Sequence, residues 1–129
     1  MNLFNNTKRE GKDMEMFISQ QEARMEKVVR NIERWLLNLE MAKSVNIYFN
    51  NQCWAYDHKG NKTIKQDVKG SEYFEYANDD TISMSFDGGS LYEALNNHYG
   101  FGLSDSFAQI DFDGMYYELG HSWNLSFVD

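Results

Sequence analysis

Proline is absent from the 129-residue chain, so no helix interior or central strand is interrupted by a residue without an amide hydrogen. Cysteine occurs once, at Cys53, which excludes an internal disulfide and leaves the fold to apolar burial. No apolar run approaches the roughly 20 residues needed to span a bilayer, and the stretch MNLFNNTKREGKDMEMF has no apolar core of the kind a secretion signal carries. The lone cysteine, the missing signal core and the missing spanning run predict a cytoplasmic protein with no membrane partner. A fourth absence is more informative: from Gly70 to Asp129 there are 60 residues with 11 Asp or Glu and no Lys or Arg.

What is present is enough for a core. Hydrophobic residues make up 42% of the chain and aromatics 16%, too many for a disordered tail even at a net charge of −8. The charge is unevenly placed. Residues 1–43 are near neutral, with 8 basic and 7 acidic side chains, whereas residues 44–129 hold 4 basic and 13 acidic ones. Even those four, Lys59, Lys62, Lys65 and Lys69, fall in one short stretch. Direct binding of nucleic acid needs clustered basic groups for phosphate contacts, so this distribution argues against it. An anionic membrane surface is disfavoured for the same reason.

The hydrophobic pattern divides the chain at the same place. Ile18, Gln21, Met25, Val28, Ile32, Trp35, Leu39 and Ala42 recur at alternating steps of three and four, which predicts one amphipathic helix over 13–43. The stripe has two readings, packing on the protein's own sheet or self-association as a homodimer through residues 18–42. After Lys43 the period becomes two. VNIYF and QCWAY flank Asn50 and Asn51, which tolerate the positive φ of a tight hairpin turn. DHKGN reads as a turn into KTIKQDV, then EYFEYA, the turn NDD, and TISMSF, whose Ile82, Met84 and Phe86 share one face. Ser90 with Glu93 has the form of a capping box opening a short helix near residues 90–99. FAQIDF and MYYEL around Asp113-Gly114 predict a second hairpin, and WNLSFVD a last strand. The expected fold is α+β, a single domain over 1–129: a long helix packed on an antiparallel sheet of about six or seven strands, with the short helix inserted.

Motifs for chemistry are weak. SFDGGSLYEAL places glycines before a helix but lacks the spacing and the lysine of a phosphate-binding loop, and reads as an ordinary strand-to-helix turn. DFDGMYYE is shorter than a calcium loop and reads as a hairpin. Cys53, His98 and His121 have no metal-ligand spacing, and Cys53 within NNQCWAY fits a small buried strand residue better than a nucleophile. These residue types therefore predict a protein without cofactor or catalysis, a small enzyme being the third-ranked reading.

Surface acids are ordinarily interspersed with bases, because like charge gathered in a folded segment costs stability. A segment that tolerates this cost is suited to attract a basic partner. Carboxylates alternating with tyrosines, as in EYFEYANDD and DFDGMYYEL, pair a phosphate-like field with interface anchors. In size, charge and composition the chain resembles the small inhibitors encoded by phages and mobile elements, including DNA-mimicking anti-CRISPR and anti-restriction proteins. That resemblance implies stoichiometric blocking of a basic nucleic-acid-binding protein, such as a CRISPR effector nuclease. The candidate phosphate surrogates are Glu72, Glu75, Asp79, Asp80, Asp105, Asp111, Asp113 and Glu118, with Tyr76 and Tyr117 as anchors. The alternative is a helix-mediated binding or immunity-type module in which the acid serves only solubility.

Overall fold

The computed structural model describes residues 3–86, 91, 106–119 and 124–128, with backbone alone at 3–14, 17, 18, 118, 119, 124–126 and 128. Helix α1 runs over Leu3–Asn38, ten residues earlier at its start than the stripe suggested. It ends before Lys43 because of its C-terminal geometry. Glu40 adopts φ 56°, its N–H donates to Leu37 O at 3.1 Å, and the Met41 N–H reaches back to Leu36 O at 2.9 Å. This pair of bonds satisfies carbonyls that the helix would otherwise leave open, and turns the chain toward the sheet.

One face of α1 is buried through Met25, Val28, Val29, Ile32 and Leu36. The buried residue of the last turn is Leu36, whereas Leu39, expected on the stripe, lies past the helix and is exposed. Each fully buried aliphatic of this size contributes about 1.5–3 kcal/mol relative to exposure. Met25, Val28 and Ile32 share one core cluster with strand residues such as Ile47, Met84 and Phe127. That part of the stripe is thus committed to the chain's own sheet, so a homodimer seam along all of 18–42 would have to displace the core.

The strands are β1 (Asn46–Phe49), β2 (Gln52–Tyr56), β3 (Lys62–Gln66), β4 (Ile82–Ser85), β5 (Tyr116–Leu119) and β6 (Asn124–Val128). They lie in the order β3-β2-β1-β4-β6-β5, and every pair is antiparallel. The β1–β2 turn is the one anticipated: Asn50 and Asn51 have φ of 49° and 57°, a pairing that matches the twist of the flanking strands. At the β2–β3 turn, Asp57 Oδ1 accepts the N–H groups of Lys59 and Asn61 at 2.8 and 2.9 Å. Those two bonds hold its carboxyl below the usual range.

Two segments expected to be strands are not. EYFEYA forms a 3₁₀ turn at Gly70–Glu72 followed by further turns. Because β4 pairs with β1 and not with β3, the chain between them must cross the sheet, and residues 67–81 do so as a strap. Tyr48 stacks on Tyr73 at 4.9 Å between ring centroids and meets Phe74 edge-on at 5.5 Å. A side chain at Gly70 would sit 3.3 Å from the Tyr48 Cβ, so glycine permits the approach. FAQIDF is likewise not a strand: its first two residues are helical and the chain then turns and bends. The Asp113-Gly114 turn has the anticipated positive φ values of 52° and 81°, but β5 pairs with β6. Phe107 and Phe112 instead join Tyr117 and Phe127 in an aromatic cluster at centroid separations of 5.1–6.2 Å. The short helix near 90–99 lies outside the described residues, except for Leu91, which is buried in the core.

Alternation gives the sheet two faces. Ile47, Phe49, Trp54, Ile82 and Met84 meet α1's side of the core; Tyr48, Cys53 and Ser83 lie opposite one another on the far face, under the strap. Both faces of β4 are therefore buried, including Ser83, whose Oγ has no hydrogen-bond partner among the described residues. On the near face, Glu33 Oε2 accepts hydrogen bonds from Tyr56 OH and from Lys62 Nζ at 2.7 Å, and Lys62 Nζ lies 3.8 Å from the Trp54 ring centroid. Burial pushes the Glu33 carboxyl up, but the hydrogen bonds of Lys62 and Tyr56 and the charges of Lys62 and Arg30 outweigh it, so the net shift is downward.

Ser83→Ala removes an orphan hydroxyl, and is expected to raise the unfolding free energy by about 1 kcal/mol or more in denaturant titrations. For Glu33, a lowered folded-state value means that its stabilisation is fully present above the ordinary carboxylate range and is lost as pH falls through the folded value. Wild type should therefore lose more stability than Glu33→Gln between about pH 6 and pH 3. Melting curves at stepped pH will show the two proteins converging in acid.

Candidate protein-binding surface

The strap places five of the ten anticipated residues together. Glu72, Glu75, Tyr76, Asp79 and Asp80 are all exposed on residues 70–80, and Tyr73, which the sequence did not single out as an anchor, joins them. Tyr76 is 78% exposed and Tyr73 60%, so both rings present apolar area to solvent beside the carboxylates. The strap is shaped from both ends. Phe74 and Tyr73 hold its middle against Tyr48, and Ala77 is buried beneath it. At its end Asn78 builds the NDD turn: its N–H donates to Thr81 Oγ1 at 2.9 Å, its Oδ1 accepts from Asp80 N–H at 2.8 Å, and its carbonyl accepts from Thr81 Oγ1 at 2.9 Å. Those bonds hold Asp79 and Asp80 at an exposed corner. Among the described residues none of the four strap carboxylates forms an ion pair.

Asp111 and Asp113 belong elsewhere. Arg24 Nε donates to Asp113 Oδ2 at 2.9 Å and to its carbonyl at 3.1 Å, Lys27 Nζ lies 3.8 Å from Asp113 Oδ1 and 4.0 Å from Asp111 Oδ2, and Asn31 Nδ2 donates to Asp111 O at 3.0 Å. With Trp35 Nε1 donating to Ser106 Oγ at 2.8 Å, residues 24, 27, 31 and 35 form one flank of α1 that fastens residues 106–113 to the helix. These two carboxylates are matched by bases from the first third of the chain, and do not extend the unpaired row. Tyr117 is also reassigned: it packs on the core within the Phe107, Phe112 and Phe127 cluster, so its ring is not free to serve as an anchor. Asp105 and the Glu118 side chain lie outside the described residues.

Chemistry that needs an activated nucleophile is not favoured at Cys53. The thiol is buried, and burial raises its pKa, which keeps it protonated and inert. His98 and His121 lie outside the described residues, as does the SFDGGSLYEAL turn. Among the described residues no three His, Cys, Asp or Glu side chains converge on a metal position, and no helix is long and apolar enough to cross a membrane.

Sequence inspection missed what separates the two acidic groups, because Arg24 and Lys27 are about 85 residues distant from their partners. A helical-wheel reading of basic residues at 24 and 27 beside the apolar stripe offers the only local hint of it. No family model, curated protein or solved structure is significantly similar to the chain.

Proposed function

We propose that this protein is a non-enzymatic inhibitor that occupies the basic nucleic-acid-binding channel of a partner protein, for example a CRISPR effector nuclease. The observation that carries the reading is the strap: Glu72, Glu75, Asp79 and Asp80 stand unpaired among the described residues, beside the exposed rings of Tyr73 and Tyr76. Carboxylates give long-range attraction for Lys and Arg, and the tyrosines give short-range contact area. Nucleic acid itself would be repelled by the same field.

A second reading rests on α1. At 1.5 Å per residue its 36 residues extend about 54 Å, several times the length of the four- and five-residue strands it covers. Its described tertiary bonds begin at Glu22, whose carbonyl accepts from Asn50 Nδ2. Before that point Met16 is 61% exposed, with Glu15, Ser19 and Gln20 exposed around it. A partner helix laid on this arm would make the protein a helix-mediated binding module.

Two measurements separate the readings. In a nuclease assay titrated with the protein, changing Glu72, Glu75, Asp79 and Asp80 together to Lys should raise the half-inhibitory concentration about tenfold or more, while exposed positions of this kind leave the melting temperature nearly unchanged. Inhibition that survives this reversal removes the acidic strap as the binding face. Stopped-flow association with a partner protein recovered by pull-down should slow by an order of magnitude or more as NaCl rises from about 0.05 to about 0.5 M. A flat salt profile is the outcome expected of apolar docking on the helix arm.

A further inference from the structure

Strand β3 stands at the end of the sheet, with β2 on one side and no described strand on the other, and all of its residues are exposed. The direction of its backbone groups follows from the turn before it. The Asp57 N–H donates to Asn61 O at 3.0 Å, and with Tyr56 opposite Lys62 these two residues face each other as a hydrogen-bonded pair. Such pairs alternate along an antiparallel ladder, so Ala55 with Thr63 and Cys53 with Lys65 are the next ones. The N–H and C=O groups of Lys62, Ile64 and Gln66 therefore point away from β2, and a row of this kind is a template for another strand.

Edges are ordinarily blocked by proline, by a bulge or by an outward lysine. Neither proline nor a bulge interrupts β3, whose register with β2 is continuous. Lys62 is drawn inward, its ammonium donating to Glu33 and lying over the Trp54 ring. That leaves Ile64, 46% exposed, at the centre of the edge on the face it shares with Trp54.

The strand's own residues select its occupant. KTIKQ laid antiparallel on a second copy about Ile64 sets Lys62 opposite the partner's Gln66 and Ile64 opposite the partner's Ile64. These are the residues whose backbone groups face outward, so each such pair exchanges two hydrogen bonds. On the other face Lys65 meets the partner's Thr63, and no lysine opposes a lysine. Sliding by two residues either way separates the isoleucines, and one of the two slides sets Lys65 against the partner's Lys65, a like-charge pair. The central register also brings the Asp67 end of each copy to the Lys59 end of the other, an unlike-charge match. At a net charge of −8 two copies repel one another in most orientations. Lys59, Lys62, Lys65 and Lys69 are the only Lys or Arg after Lys43, so approach through β3 is opposed least. We infer that the protein forms a two-fold dimer in which the β3 edges of two copies pair antiparallel about Ile64 and join their sheets into one. The pairing uses up both β3 edges and therefore closes at two copies. A contact of two such short strands is small for a protein interface, so the dimer is weak and depends on concentration. It uses neither the strap acids nor the α1 stripe, and stands independently of the inhibitor reading.

The test is the oligomeric state of the full chain together with amide hydrogen exchange. Sedimentation velocity between about 1 and about 500 µM should show a monomer passing to a dimer and nothing larger. Over the same range the amides of Lys62, Ile64 and Gln66 should exchange about fivefold more slowly or better, while those of Thr63 and Lys65, bonded to β2 in either state, change little. That alternation is a signature a helix-mediated dimer would not give. Ile64→Pro removes one outward N–H and leaves the β2 ladder intact, and Ile64→Lys sets like charges across the two-fold axis. Both variants should remain monomeric at every concentration, with Ile64→Lys keeping the result readable should the proline variant fail to fold, and Ile64→Val should dimerise as wild type does. A wild-type monomer throughout the range would overturn the inference and leave the edge to a strand of another protein. A dimer that survives Ile64→Lys, or protection that rises equally at Thr63 and Lys65, would also overturn it, and would move the association to another surface such as α1.

Discussion

Burial of the Met25–Leu36 face of α1 against the sheet is the interaction on which the remaining structure depends. Val28, Val29, Ile32 and Leu36 are fully buried, and the strand residues they meet, including Ile47, Met84 and Phe127, come from three different parts of the chain. Fixing that face orients the two flanks beside it. One flank, Arg24, Lys27, Asn31 and Trp35, reaches residues 106–113. The other, Arg30 and Glu33, reaches Trp54, Tyr56 and Lys62. The helix therefore acts as a common wall for both ends of the sheet, each flank adding polar contacts whose geometry the apolar face has already set.

The second constraint is topological. With β3 at one edge and β4 inserted beside β1, the linking residues have no strand position available and must cross the far face. That face offers a ring to stack on, Tyr48, and a glycine at Gly70 where the crossing begins close to it. The crossing buries Tyr48 and Ser83 and leaves the strap's own polar residues facing solvent. Display of Glu72, Glu75, Tyr76, Asp79 and Asp80 is thus a consequence of how the sheet is wired.

Electrostatically the molecule sorts its acids into two kinds. Asp111, Asp113 and Glu33 are answered by Arg24, Lys27 and Lys62, and they tie elements together. The strap acids have no such counterpart among the described residues. Interaction energy between charges depends on distance and surroundings far more than on number, so the described acids of the C-terminal segment do not act as one unpaired surface. The unpaired group among the described residues is narrower than the composition implied.

Residue pattern alone was enough for the long helix, the Asn50-Asn51 hairpin, the following turn and strand, the alternation of Ile82, Met84 and Phe86, and the Asp113-Gly114 turn, because each depends on period or on backbone preference within a few residues. It was also enough to show the missing bases after Lys69. Tertiary structure decided the rest. EYFEYA has the composition of a strand, yet strand order left it none to pair with; FAQIDF was drawn to an aromatic cluster whose members lie up to 20 residues away along the chain. Which acids are neutralised was settled by helix residues some 85 positions distant. Such pairings depend on where the folded backbone brings side chains within a few ångströms, and sequence separation carries no information about that distance.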